Sequence, residues 1–479
     1  MIFKDITAYR AASHGAKVCI IGTGPAGTAV ALQLAHAGVA VVMLEAGSDE
    51  LTEDSQQFYQ GKVDGDFYFD LDVTRLRFLG GSSNHWAGWC RPLDAHDFEK
   101  RDWIPNSGWP ITRKDIEPYF DVTRTMLDLV EFRNNMPVSE DIDWIQLIKS
   151  PAVHVGEKYR ATLEASDKIA VVLNTMVTEL NGDGKKITSA NLWSAGQSAG
   201  SLAADIFVVC TGGLENSRLL LWSNEKSNGG VVPNANALGK YWMEHPQFEP
   251  ANAILFDPSR IEFDATDEAF FSPTPSAMQR LGILNFGARL IHTPYTGIKG
   301  MVADLACVAP SMSEWIASGL GAHLRCSAQI YVGWEQAPVE SNHISLSTQE
   351  RDQAGIPRIV LHWKKRELER KTLVEGMRLF GETLAKTDLG RLRFEEWVLN
   401  NEAYPEDQEI AGHHHMGGTR MGTDMMTSVV DADCKVHGMD NLYIGGSSVF
   451  VTAGHANPTT TITALAHRLG DHLGQKLRS

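Results

Sequence analysis

Gly22-Thr23-Gly24-Pro25-Ala26-Gly27 stands directly after an apolar run and opens a helical pattern, and Glu45, followed by Ala46, ends the next apolar run. In that order the pieces form a dinucleotide-binding turn. The first glycine permits a tight bend, the second lets the backbone approach a pyrophosphate, and the third lets the helix pack closely on the strand, with the helix N-terminus facing the anion. An acid at the end of the second strand accepts hydrogen bonds from ribose hydroxyls. The competing explanation is a glycine turn in an unrelated α/β fold, with Glu45 a solvated strand end. The complete strand, turn, helix, strand and acid context favours a nucleotide.

Further segments carry the same chemistry. Arg77 to Trp86 reads RFLGGSSNHW, in which Gly80, Gly81, Ser82, Ser83, Asn84, His85 and Trp86 offer close backbone approach and hydroxyl and amide donors suited to a diphosphate and ribityl chain. An ordinary Gly/Ser loop would have the same composition. Two later apolar runs also end in glycine turns, at Thr211-Gly212-Gly213 and at Gly445-Gly446. Repeated returns of distant segments to one nucleotide suit FAD better than a single NAD unit.

Near the C-terminus stand His413-His414-His415-Met416-Gly417-Gly418-Thr419 and Gly454-His455-Ala456-Asn457-Pro458-Thr459. Three adjacent histidines invite a metal reading, but no second His, Cys or carboxylate group stands at a zinc-like spacing, so no metal is expected. Asn457 before Pro458 fits a helix N-cap, because Asn is preferred there and Pro at the first helical position. Alternatively the helix N-terminus faces the flavin pyrimidine and Asn457 faces a substrate.

These residues need a scaffold. Residues 17–47 read as a βαβ opening, and 51–110 as long loops rich in Gly, Trp and Asp. A β-rich tract from about 170 ends in DIFVVCTGG and a helix, LENSRLLLWS. Alternating runs between about 250 and 365 (ILNFGARLIH, CSAQIYVGWE, NHISLSTQE) suit a largely antiparallel sheet, followed by a charged helical stretch and a final helix from Pro458. The expected fold class is α/β: a Rossmann-type FAD-binding domain assembled from discontinuous segments (1–110, 170–250 and 401–479), a lid or substrate-domain segment (111–169), and a substrate domain on a mainly antiparallel sheet (251–400).

Composition narrows the function. The 479-residue chain is long enough for more than one core, and 43% hydrophobic with 21% charged residues is ordinary for a globular protein. A net charge of −16 without a Lys/Arg cluster argues against nucleic acid and anionic lipid, and no apolar stretch is long enough to span a bilayer. The six cysteines lack CxxC spacing and residues 1–17 lack the pattern of a secretory signal, so a reduced, cytoplasmic protein is expected.

Taken together, GTGPAG with Glu45, RFLGGSS, TGGLENSRLLL, GKYWMEHP, HHHMGGTRMG and GHANPTTTITALAHRLGD resemble the glucose-methanol-choline (GMC) family of FAD-dependent alcohol oxidoreductases. The resemblance implies that His415 is a general base beside the flavin, paired with Asn457, with His455 as second choice. Asn84-His85-Trp86 is similar to the sugar-oxidising branch that includes pyranose oxidase and bacterial sugar dehydrogenases, which points to a sugar or glycoside substrate and makes His85 a candidate for covalent attachment to the flavin. Asn216-Ser217 replaces the family's usual Ser-Pro. Oxygen, a quinone or a redox protein would each serve as electron acceptor, and the sequence leaves self-association open. The alternatives are a non-sugar alcohol as substrate, a redox-inactive lyase, or a carrier.

Overall fold

The computed structural model describes residues 1–12, 14–295, 297–309, 312, 326–410 and 412–478. A six-stranded, all-parallel sheet runs in the spatial order Ile2–Phe3, Ile169–Val172, Val41–Leu44, Val18–Ile21, Ile206–Val209, Leu442–Ile444. The four central strands read VCII, VVML, IAVV and IFVV and are buried throughout, the continuous apolar pattern of a parallel sheet covered on both faces. Helix Pro25–His36 connects the strands Val18–Ile21 and Val41–Leu44, and helix Thr459–Lys476 lies against it. Gly470 faces the Gln33 side chain, where an added Cβ would sit 2.7 Å from Gln33 Cβ, so the two helices meet at a spacing that larger residues would forbid. The edge strand Ile2–Phe3 carries no sequence signal, being two residues long.

The second layer is a seven-stranded, wholly antiparallel sheet in the order Gly390–Phe394, Gln247–Leu255, Ala328–Trp334, Phe286–His292, Glu268–Pro273, Ile142–Ile145, Met136–Pro137. Helix Glu367–Lys386 buries Leu373, Met377, Phe380 and Leu384, one helical face, in the apolar core of this sheet. Each such side chain contributes about 1.5–3 kcal/mol. Thus two of the three alternating runs expected in this sheet are found there. The third is not: His343–Arg351 pairs instead with Pro357–Trp363, which runs parallel to Gly61–Gly65. It is held away because Ile344 N donates to Gly239 O at 2.7 Å and the Ile344 side chain joins a separate cluster with Trp242, Ile359 and Leu361.

The expectation of fully reduced cysteines is corrected. Cys307, at the end of helix Ile298–Val308, and Cys326, just before strand Ala328–Trp334, form a disulfide, while Cys19, Cys90, Cys210 and Cys434 are free and buried. The tertiary fold sets these two Cα atoms 4.7 Å apart, and the argument from cysteine usage to a reducing compartment falls. Among the described residues no helix is long and apolar enough to cross a membrane.

Candidate active site

Every strand of the parallel sheet except the short edge one ends near one cavity of about 520 Å³. Ligands of open parallel sheets bind in this place, outside the carboxyl ends of the strands. The glycine turn is built as its spacing requires. Gly22 has φ +103° and abuts the Cys210 carbonyl, where a Cβ would collide. Gly24 has open space where its side chain would be, and Gly27 is pressed against Gly22 and Ile20. The helix that follows has Gly24 as its N-cap with no side-chain cap, so its first amides remain available to an anion.

Glu45 is buried and accepts hydrogen bonds from the Thr23 amide (3.3 Å), the Thr23 hydroxyl and the Gly47 amide (2.9 Å). Thr23 Oγ1 in turn accepts from Gly80 N (3.1 Å), which ties the acid to the Gly80–Ser83 loop. In that loop Ser83 accepts from Val155 N, Asn84 donates to the carbonyls of Leu79 and Gly81, and Trp86 Nε1 donates to Val153 O. Of the expected cofactor residues, Gly22, Gly24, Pro25, Ala26, Glu45, Ala46, Gly81, Ser82, Ser83, His85, Trp86, Thr211, Gly212, Gly446, Asn457, Pro458 and Thr459 line the cavity. Gly27, Gly80 and Asn84 do not, and serve packing and loop geometry.

Asn216, the residue that departs from the expected Ser-Pro, is a buried staple. Its Oδ1 accepts from Thr211 N and Oγ1, and its Nδ2 donates to Gly445 O and Ser448 Oγ. One side chain therefore locks together two of the glycine turns. Arg75 also borders the cavity, with Nε and Nη1 lacking acceptors among the described residues. Uncapped helix amides, open glycine positions and a buried, partly unpaired guanidinium fit a diphosphate-bearing cofactor.

The histidine run divides its work. His413 takes φ +52°, so the chain does not alternate as an extended strand would. Its ring lies over Phe69 and 6.5 Å from His85, and burial lowers its pKa to about 4. His414 Nδ1 lies 2.9 Å from His245 Nδ1, and His245 Nε2 lies 2.8 Å from the Gly454 carbonyl. A carbonyl only accepts, so His245 carries its proton on Nε2 and His414 donates from Nδ1. This bridge joins the two C-terminal segments. His415 Nε2 lies 3.0 Å from the Tyr68 hydroxyl, which donates to Glu244 Oε2 at 2.5 Å.

His415 and Asn457 both line the cavity. Asn457 is not an N-cap: the last helix begins after Pro458, without a side-chain cap, and the Asn457 amide group makes no hydrogen bond among the described residues. His455 is placed elsewhere. Its buried ring faces Asp94, with Nε2 3.5 Å from Oδ2, and it does not border the cavity.

Residues 17–290 match the family described as FAD dependent oxidoreductase, and residues 338–466 the family described as GMC oxidoreductase. The chain belongs to the FAD dependent oxidoreductases and carries a GMC oxidoreductase C-terminal domain. It is 25% identical to a 2-methyl-1,2-propanediol dehydrogenase of Mycolicibacterium austroafricanum, over 96% of this chain and 95% of the relative. It is also 23% identical to a C-glycoside 3-oxidase of Microbacterium trichothecenolyticum, over 83% of this chain and 75% of the relative. The fold is shared with the crystal structure of pyridoxine 4-oxidase from Mesorbium loti, with a TM-score of 0.61 at 16% identity over 96% of this chain and 99% of that one. This GMC oxidoreductase binds FAD and oxidises alcohol groups.

Sequence reasoning passed over Tyr68, Arg75, Glu215, Glu244, Gln247 and Arg289. Arg75 pairs with Glu215 at 2.9 Å, both at the cavity edge. The one available signal was a pair of arginines set among apolar residues in Thr74-Arg75-Leu76-Arg77-Phe78. Tyr68 carried none, and Glu244 stood within the segment GKYWMEHP without a role assigned to it.

Proposed function

We propose that this GMC oxidoreductase oxidises a CH–OH group of a sugar or glycoside to the ketone or lactone, with His415 accepting the hydroxyl proton while Asn457 holds the oxygen. The supporting observation is that these two side chains, from separate segments, border the same cavity as the dinucleotide turn. FAD, when bound, supplies the hydride acceptor. An alcohol is a poor hydride donor until its proton is leaving, so a base must face the hydroxyl. Burial, together with Arg75 and the neighbouring histidines, pushes the His415 pKa well below its ordinary value, which keeps the imidazole neutral and able to accept a proton. Gln247, Arg289, His413 and His414 also line the cavity and supply partners for several hydroxyls.

The Asn84-His85-Trp86 pattern and the similarity to a C-glycoside 3-oxidase support a sugar. A small non-sugar diol is the second reading, favoured by the near full-length similarity to a propanediol dehydrogenase. A panel of sugars, glycosides and small diols, scored by anaerobic bleaching of the flavin, separates them. Bleaching by diols and by no sugar overturns the sugar reading. Reoxidation with oxygen, a quinone or an artificial acceptor then identifies the electron acceptor class.

Asn457→Ala is expected to slow anaerobic flavin reduction by roughly 10- to 10³-fold, as for removal of one oxygen-holding donor. Because Asn457 caps nothing, Tm should stay at the wild-type value. An unchanged reduction rate would remove Asn457 from the site.

A further inference from the structure

His415 is poorly suited to keep a proton. Burial first, then the electrostatic influence of Arg75, His413, His414 and His85, disfavours an imidazolium there. Its Nε2 lies 3.0 Å from the Tyr68 hydroxyl, and Tyr68 donates to Glu244 Oε2. Tyr68 is fixed edge-on against Trp242 and Trp363, with ring centroids 5.8 and 5.1 Å away. Glu244 is 2% exposed, and its other oxygen accepts the amides of His245 (2.8 Å) and His414 (2.7 Å).

With Glu244 ionised, its oxygens can only accept, so Tyr68 donates to it and the Tyr68 oxygen accepts from His415 Nε2–H. The neutral His415 ring then has its lone pair on Nδ1, which makes no hydrogen bond among the described residues.

We propose that Glu244 is the terminal acceptor of the substrate proton, reached through His415 and Tyr68. The step rests on His415 being the base. The substrate hydroxyl proton bonds to His415 Nδ1, the Nε2 proton passes to the Tyr68 oxygen, and the phenolic proton passes to Glu244 Oε2. One bond forms for each that breaks, a carboxylate becomes a carboxylic acid, and no electrons move along the relay. The hydride pair leaves the carbinol carbon separately.

The affinities order the same way. Burial raises the Glu244 carboxyl to about 7, with Glu409 adding to the rise and the Tyr68 hydroxyl and the two amides opposing it. Glu409 is itself paired with Lys365 at 2.7 Å, which limits its influence. Burial and Glu244 hold the Tyr68 hydroxyl well above its ordinary value, so Tyr68 conducts a proton without ionising. Glu244 therefore holds at neutral pH a proton that His415 cannot.

Glu244→Gln and Tyr68→Phe test the relay. Both variants should retain flavin, and anaerobic flavin reduction should slow by roughly 10- to 10²-fold. In the wild type the reduction rate should rise with pH through about 7, because the acceptor must be ionised, and Glu244→Gln should flatten this rise. Independently of rate, the reduced-minus-oxidised infrared difference spectrum should show a protonated carboxyl band that Glu244→Gln removes. Wild-type rates and pH profiles in both variants, or an unchanged carboxyl band in Glu244→Gln, overturn the relay. If those variants behave as wild type while His415→Ala is slow, the relay alone fails. If His415→Ala is also as fast as wild type, the base assignment fails with it.

Discussion

His415→Ala should leave the flavin bound and slow its anaerobic reduction by substrate by roughly 10² to 10⁴, the contribution of a positioned general base. Flavin retention is expected because the backbone here is held independently of the ring: Met416 N donates to Met243 O at 3.0 Å, and the His415 carbonyl accepts from Ser447 Oγ at 2.5 Å. Both bonds survive truncation to Ala. Gly213 packs against the His415 backbone and Cβ, which further fixes the position of the main chain. His455→Ala is the control, since its ring faces Asp94 and lies outside the cavity. Stopped-flow reduction near the wild-type rate is expected for that variant. If His455→Ala abolishes reduction and His415→Ala does not, the two roles are exchanged and the base assignment is wrong.

Glu45→Arg should yield protein with much less than one FAD per chain. Glu45 accepts the Thr23 amide, the Thr23 hydroxyl and the Gly47 amide, and it borders the cavity where ribose hydroxyls would meet a carboxylate. Arg has no acceptor for these donors and brings a cation into a turn built around an anion. One charged hydrogen bond is worth about 1.5–3 kcal/mol, so losing a single one weakens retention by roughly 10- to 150-fold. Glu45→Gln keeps the length and one acceptor oxygen and should lose less. Flavin absorbance relative to protein after gel filtration measures both variants. A full flavin complement in Glu45→Arg would show that the acid does not hold the cofactor.

Much of the fold was legible because its signals are local. A strand that must be buried on both faces reads as VCII or IFVV wherever it occurs, and the turn after it must carry glycine if the backbone is to approach a phosphate. Those constraints act within about thirty residues of chain, so the βαβ opening, the glycine turns and the final helix could be recognised without knowing what packs on them. The antiparallel layer was legible as a class through its period of two, yet not in its membership. NHISLSTQE alternates as the neighbouring runs do, and only its contacts with Gly239 and Trp242 place it in a separate sheet.

What the sequence alone carried is the nucleotide turn, whose backbone geometry dictates its residues, and the return of further glycine turns that suits FAD, whereas the alcohol chemistry and the pairing of His415 with Asn457 rested on the resemblance of its segments to the GMC family. Only the tertiary structure decided which histidine of three faces Tyr68, that His455 turns instead to Asp94, that Asn457 is free of capping, and that Cys307 meets Cys326. Tyr68 lies 347 residues from His415 and 176 from Glu244 in sequence. A hydrogen bond demands that two side chains agree in position to a few tenths of an ångström. No local pattern of residue types encodes such agreement between remote segments, because the packing of whole layers sets it.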